Sequence, residues 1–248
     1  MTLQENLKHY SKLAIAFSGG VDSAYLLYMA KKNCKDVVAY YVKSCFQPEF
    51  ELEDAKRLVA ELEVPLKVIE INNLIDDINI ACNSSERCYH CKRRIFEAVI
   101  QNAAVDGFEV IADGTNASDE VGDRPGMRVL CEMNVVSPLR ESGLTKNEIR
   151  RMSEEAGLFT WNKPAYACLA TRIPTGDEIT MEKLEKIEKA ENEMFLMGFI
   201  DFRIRILGNA AKIQVTAAQM EKVFELRSQL VQKLKPYFDS VLLDMEER

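Results

Sequence analysis

Imidazole is nearly absent from this chain. Its 248 residues include two histidines, His9 and His90, which excludes the histidine-rich centres that commonly hold zinc, copper or non-haem iron. Long apolar runs are missing too: nothing approaches the roughly 18 uninterrupted apolar residues of a membrane span. The opening MTLQENLKHY lacks the basic-then-apolar order of a leader peptide, so a cytoplasmic protein with no membrane partner is expected. Nor is there an excess of positive charge. A net charge of −7 and a pI near 5.2 argue against gripping nucleic acid through a basic face, and no nucleic-acid partner is expected. The Gly-Gly loop near the start has neither the spacing and lysine of a Walker A motif nor the length of a G-x-G-x-x-G turn. No second C-x-x-C accompanies the one at Cys88, which excludes a four-cysteine zinc cage of paired motifs.

What is present begins with that loop. The apolar run Leu13–Phe17 breaks into Ser18-Gly19-Gly20-Val21-Asp22-Ser23. A buried strand that passes through two glycines into a helix lets backbone N–H groups converge on an anion at the helix N-terminus. Ser18 and Ser23 add hydroxyl donors, so nucleotide phosphates are the expected ligand. Asp22 beside a phosphate is repulsive unless a cation intervenes, which implies bound Mg²⁺.

Strand-like runs at Leu13–Phe17, Val37–Val42, Leu66–Ile71 and Val110–Ala112 alternate with amphipathic segments at Asp22–Lys32, Glu51–Leu62 and Cys91–Val105. This βαβα order predicts an α/β fold with a doubly wound parallel sheet, with ligands outside the carboxyl ends of the strands. Ser18–Ser23, Lys43–Ser44 and Asp113–Asn116 would all meet there. Thr145-Lys146-Asn147-Glu148 reads as a capping box opening a helix that Gly157 closes. Pro164 and Pro174 bracket an interrupted segment, so the junction is expected near residue 170, giving domains 1–170 and 171–248. The second domain reads as a small α+β unit: helices at Met181–Met197 and Ala217–Lys235, strands at Phe202–Leu207, Lys212–Thr216 and Val241–Asp244. In the first of these strands Phe202, Ile204 and Ile206 alternate with Arg203 and Arg205, which puts both arginines on one polar face.

Seven cysteines, an odd number, favour metal or redox chemistry over a disulfide framework. Cys88 and Cys91 form a C-x-x-C pair at a helix start, a pattern shared by redox dithiols, half zinc sites, parts of iron–sulfur sites and inert thiols. Cys168 lies between Lys163 and Arg172, whose charges would favour its thiolate. Cys34, Cys45 and Cys131 read as small core residues.

The loop Ser18–Ser23 resembles the SGGxDS signature of the PP-loop ATP pyrophosphatases. Together with Asp113–Glu120, Asp123–Gly126, Ser137–Leu139, Gly143–Lys146, Lys163–Ala165 and Arg172–Pro174, it makes residues 13–176 similar to the LarE family of sulfur transferases. The resemblance implies ATP bound by Ser18, Gly19, Gly20, Asp22, Ser23, Ser44, Gly114, Thr115 and Asn116, with Asp22 on Mg²⁺. It implies a pyridinium mononucleotide substrate whose phosphate is anchored by Arg203 and Arg205, and acidic groups at Glu188 or Glu191, whose plainer reading is a solvated helix face. In this family a carboxylate is adenylated, pyrophosphate leaves, and sulfur then displaces AMP to give a thiocarboxylate on the way to a nickel-pincer nucleotide.

One family variant sacrifices a single cysteine, which ends as dehydroalanine. The other holds a 4Fe-4S cluster on three cysteines, and Cys88, Cys91 and Cys168 match that pattern; three thiolates leave one iron open for an exchangeable sulfide. The resemblance also implies an external sulfide or sulfur donor and a homo-oligomer such as the hexamer that the family forms. Gln214 stands where the family often has glutamate and Asn162 where aspartate is usual. A tRNA thiolase of the same superfamily and a non-catalytic ATP sensor are the competing readings.

Overall fold

The computed structural model describes residues 1–119 and 125–248. Glu120, Asp123 and Arg124 of the family-like motifs lie outside the described residues. The chain forms two compact units, residues 1–74 with 86–163, and residues 75–85 with 164–248. The second unit thus includes Pro164–Ala170 and a segment from earlier in the chain, both of which the junction near residue 170 would leave in the first.

The first unit begins with α1 (Leu3–Leu7), closed by a Thr2–Glu5 capping box, and continues through β1 (Lys12–Ala16), α2 (Val21–Asn33), β2 (Asp36–Ser44), α3 (Glu49–Glu61) and β3 (Leu66–Ile71). The sheet has the order β3-β2-β1-β4, where β4 is Ile111–Ala112, and all its pairings are parallel. That is the expected doubly wound α/β arrangement, with the order reversing beside β1. Leu13, Ala14 and Ile15 of β1 are fully buried, as a central parallel strand covered on both faces requires.

Helix α2 is apolar on nearly every side, with Val21, Ala24, Tyr25, Leu26, Leu27 and Ala30 all buried. The sheet covers one flank, and α1 and α8 (Lys146–Glu155) cover the other, so no wide solvated stripe is left. Three further helices belong to this unit: α5 (Arg87–Val105), α6 (Pro125–Glu132) and α7 (Pro138–Glu141). The capping box at Thr145 is formed as read, and Gly157 follows the helix end with φ +72°.

The second unit holds α4 (Ile78–Ala81), α9 (Met181–Leu196) and a three-stranded sheet ordered β5-β6-β7, namely Arg203–Leu207, Ala210–Gln214 and Ser240–Leu243. β5 and β6 form an antiparallel hairpin, and β7 joins β6 in parallel. Ile204, Ile206, Ala211 and Ile213 face a core shared with Leu184, Ile187 and Met194 of α9. The expected helix Ala217–Lys235 is two helices, α10 (Ala217–Glu225) and α11 (Arg227–Leu234), separated at Leu226. The Arg227 guanidinium donates to the Phe224 carbonyl at the break, 3.0 Å away. Segment 75–85 belongs to this unit through its main chain: Gly176 N–H donates to Asn83 O (2.9 Å) and Ile179 N–H to Ala81 O (2.8 Å). Among the described residues no helix is long and apolar enough to cross a membrane.

Candidate functional site

In the first unit the loop between β1 and α2 is held by its own hydroxyls. Ser23 Oγ donates to Gly20 O (3.1 Å) and lies 3.0 Å from Ser18 Oγ, which accepts the Gly20 N–H at 3.4 Å. Gly19 has φ +74°, where an L side chain is strained. Gly20 caps α2 without a side chain, so the first-turn N–H groups point outward without intrahelical acceptors.

The turn after β4 closes on this helix start from the neighbouring strand. A Cβ on Gly114 would fall 2.8 Å from Ser23 N, so only glycine permits the approach. Asp113 is buried and fixes the turn, accepting from Thr115 N (3.2 Å), Thr115 Oγ1 (2.5 Å) and Ser137 Oγ (2.7 Å). Asn116 Nδ2 reaches Asp22 Oδ1 at 3.3 Å. The other Asp22 oxygen receives the Lys146 ammonium at 2.5 Å. Ser44, at the end of β2, donates its hydroxyl to Gln47 Oε1 (2.7 Å) and accepts the Phe46 N–H (3.2 Å), which shapes the β2–α3 turn.

Cys88 and Cys91 lie in the first turns of α5, the former exposed and the latter half-buried. An Arg87 N–H reaches Cys88 Sγ at 3.5 Å. Burial pushes the Lys92 ammonium down, while Asp113, Asp119 and Cys88 oppose that shift. A second cation thus faces the turn after β4.

In the second unit Cys168 precedes the short turn Leu169–Arg172. Arg172 is 1% exposed and pairs with Glu191, also 1% exposed, through Nε–Oε1 at 2.9 Å. Its Nη1 donates to Ala167 O and Thr171 Oγ1, and its Nη2 to Glu191 Oε2 at 3.3 Å. Glu191 further accepts from the Tyr166 hydroxyl and from Ile204 N–H (3.0 Å). Burial works against the Arg172 charge, but Glu191 outweighs it and holds the guanidinium above its ordinary range. Arg205 donates to Gln214 Oε1 (2.5 Å) and Thr171 O (2.9 Å). Arg203 has a buried Nε with no hydrogen-bond acceptor among the described residues. Burial and the neighbouring Arg172 and Arg205 charges push it down.

Three expectations change here. Glu191 is buried and paired, not part of a solvated face. Cys131 is exposed, so it is no core residue. Lys163 spends its charge on α3: its ammonium lies between Glu51 (3.1 Å) and Asp54 (2.8 Å). Cys88 and Cys91 belong to the first unit and Cys168 to the second, and among the described residues no group of three or more His, Cys, Asp or Glu side chains is gathered to hold a metal.

The family model described as queuosine biosynthesis protein QueC matches residues 12–86, the stretch carrying the phosphate loop. An uncharacterized protein of Synechocystis sp. is 33% identical over 98% of this chain and 93% of its own length. The pyridinium-3,5-bisthiocarboxylic acid mononucleotide synthase of Lactiplantibacillus plantarum is 28% identical over 98% of this chain and 89% of its own. The chain belongs to the LarE family. An uncharacterized protein of Methanocaldococcus jannaschii is also similar, 31% identical over 98% of this chain and 93% of its own.

Within this LarE chain, three residues were not singled out as site residues from the sequence alone. Lys146 was visible only as the first residue of a capped helix, and Lys92 only as the residue four places after Cys88. Asp113 was expected at the ligand crevice with Gly114–Asn116, but its buried acceptor role depends on Ser137, a contact 24 residues along the chain.

Proposed function

We propose that this protein is an ATP-dependent sulfur transferase that converts a carboxylate of a pyridinium biscarboxylate mononucleotide to a thiocarboxylate. The observation that carries the substrate half is the buried, unsatisfied Arg203 N–H in the unit that also bears Cys168. A guanidinium held without an acceptor costs free energy unless an anion completes it, and its fork suits a phosphate. Arg205 lies two residues along the same strand and donates to the neutral acceptors Gln214 and Thr171, so its charge remains available to the same anion.

The first half-reaction belongs to the phosphate loop, with ATP and Mg²⁺ as its ligands. A substrate carboxylate oxygen bonds to the α-phosphorus and pyrophosphate leaves. The amides of the α2 N-terminus and the Ser18 and Ser23 hydroxyls would bind phosphate oxygens, with Gly19, Gly20, Gly114, Thr115 and Asn116 shaping the cradle and Ser44 the neighbouring wall. Both Asp22 oxygens already have partners. Lys146 therefore neutralises Asp22 in the absence of Mg²⁺, and Asp22 would hold the ion, which neutralises departing pyrophosphate, once Lys146 turns to the phosphates.

In the second half-reaction a sulfur nucleophile bonds to the acyl carbon and AMP leaves. The donor set suited to a 4Fe-4S cluster is Cys88, Cys91 and Cys168. Two of these are presented together on one helix face, while the third is carried by the other unit. Bound there, such a cluster would supply the sulfur for transfer. The other route uses Cys168 alone: its sulfur bonds to the acyl carbon, AMP departs, and loss of the Cα proton with cleavage of Cβ–S leaves dehydroalanine and the thiocarboxylate.

Anaerobic reconstitution followed by iron and sulfide analysis separates the two routes. About four irons per chain, lost in Cys88→Ala, Cys91→Ala and Cys168→Ala alike, is expected for the cluster. Full activity in Cys88→Ala and Cys91→Ala, with a dehydroalanine at 168 after turnover, establishes the sacrificial route. Absence of pyrophosphate release from ATP with the mononucleotide in reconstituted protein sinks the whole assignment and favours an ATP sensor.

A further inference from the structure

Lys163 is the last residue of the first unit, directly after the turn Phe159–Asn162. Its side chain is 13% exposed, and its ammonium lies between two carboxylates of α3, Glu51 and Asp54, at 3.1 and 2.8 Å. These are ion pairs without a directed hydrogen bond. The main chain is gripped from another side: Arg150 of α8 donates to Trp161 O at 2.7 Å and to Lys163 O at 2.9 Å. Residues 161–163 are therefore clamped by two helices that have no role in the turn's own formation. The same stretch of α3 backs the phosphate loop, because a Cβ on Gly19 would lie 3.4 Å from Glu51 O.

A half-buried ion pair of this kind adds little to stability compared with apolar side chains of the same volume, and its best-attested use is to fix a register. What it fixes here is the point at which the chain leaves the ATP-binding unit toward Cys168. Cys168 lies five residues after Lys163, and at ~3.3–3.6 Å per residue that tether reaches no more than about 18 Å. Loosening the exit point therefore shifts the whole region that the Cys168 sulfur can visit.

We propose that Lys163, backed by Arg150, is a positioning residue for the sulfur-transfer step: it anchors the exit of the Cys168-bearing segment without touching the nucleotide. This rests on the adenylation and sulfur-transfer reading above. The clamp predicts that breaking it uncouples the two half-reactions, since ATP activation needs only the first unit, whereas sulfur delivery depends on where Cys168 can reach.

The experiment compares Lys163→Met, Arg150→Gln and Lys163→Arg with wild type in the full chain, using ATP and the pyridinium biscarboxylate mononucleotide. Pyrophosphate release is read beside thiocarboxylate formed per pyrophosphate. For Lys163→Met and Arg150→Gln the expected result is pyrophosphate release within about twofold of wild type and thiocarboxylate yield per pyrophosphate lower by about tenfold to a hundredfold, the scale of a displacement near 1 Å. Lys163→Arg restores the coupling. Arg150→Gln leaves no buried carboxylate unpaired, so it serves if Lys163→Met does not fold. Alkylation of Cys168 by iodoacetamide, followed by peptide mass spectrometry with the exposed Cys131 as the internal reference, should be faster in both loosened variants even without substrate. Equal loss of both half-reactions, unchanged coupling with unchanged Cys168 labelling, or failure of Lys163→Arg to rescue overturns the clamp. Absence of pyrophosphate release in wild type overturns the underlying reading, and the labelling rates then decide the clamp alone.

Discussion

Replacing Gly114 with alanine tests the close approach on which the phosphate site is built. The added Cβ would lie 2.8 Å from Ser23 N, 3.1 Å from its Cα and 3.2 Å from its Cβ. Relaxed contacts between such atoms begin near 3.5 Å, so the turn after β4 and the start of α2 have to part by about 0.7 Å. Neither side yields easily. The turn is bonded through buried Asp113 to Thr115 and Ser137, and α2 is buried along its length. Overpacking of this kind costs about 1–3 kcal/mol. At about 2–4 °C per kcal/mol for a chain of this size, the melting temperature should fall by about 2–12 °C. The same displacement moves the Gly20–Ser23 amides, and loss of one hydrogen bond to a charged phosphate, about 1.5–3 kcal/mol, weakens ATP by about tenfold to more than a hundredfold. Thermal melts and titration calorimetry with Mg·ATP read both effects. Gly20→Ala is the comparison: its φ is not positive and its Cβ would meet only Ser18 Oγ at 3.5 Å, so it loses only the preference of an N-cap for glycine over alanine, about 0.5–1 kcal/mol, and the melt should fall by about 1–4 °C. An unchanged melt and unchanged ATP affinity in Gly114→Ala would refute the reasoning.

Lys146→Met removes the cation 2.5 Å from Asp22 and should lower pyrophosphate release by about tenfold to a hundredfold with the fold intact by circular dichroism, the scale of one charged hydrogen bond; normal release would remove Lys146 from the site. Glu191→Gln strands the buried Arg172 charge and should cost about 3–5 kcal/mol in urea unfolding, most of it recovered in Arg172→Met/Glu191→Leu. Equal stability of wild type and Glu191→Gln would contradict the pairing. Cys34 supplies a pH test: burial pushes its thiol up to about 11, whereas in the unfolded chain it titrates near ~8.5. Between these values the folded protein keeps a proton that the unfolded chain has lost, so stability is full below the lower value and declines as pH rises through the window. Urea midpoints should therefore drop more between pH 8 and about pH 10.5 in wild type than in Cys34→Ala; parallel curves would rule out a raised thiol.

The sheet and the phosphate loop were legible because their signals are local. Leu13–Phe17 is a continuous apolar run, and Ser18–Ser23 carries its glycines and hydroxyls within one turn. The capping box at Thr145 was equally local. What escaped depended on contacts distant in sequence. Segment 75–85 joins the second unit through main-chain bonds from Gly176 and Ile179, which leave no mark on side-chain pattern. The break at Leu226 has no glycine or proline to announce it. Glu191 sits in a Glu- and Lys-rich helix that reads as solvated, and its burial is set by Arg172, Tyr166 and the Ile204 amide. Lys163 is near Cys168 in the chain, yet its charge is spent on α3.

Net charge misleads for a related reason. The sum of −7 averages a surface rich in Asp and Glu over an interior where Arg172, Arg203 and Arg205 repel one another around Glu191. That carboxylate is committed to Arg172, Tyr166 and Ile204 N–H. Gln214 meets Arg205 with a neutral oxygen, where a glutamate would cancel its charge. The consequence is a concentrated positive field around Arg172, Arg203 and Arg205 in a protein of net negative charge. Gln214→Glu should therefore weaken binding of the mononucleotide phosphate at low salt more than at high salt, since the added charge acts on a partly buried pair of arginines and salt screens only the solvent-exposed part of the attraction. Equal affinity of the two proteins for the mononucleotide would mean that Arg203 and Arg205 do not bind its phosphate.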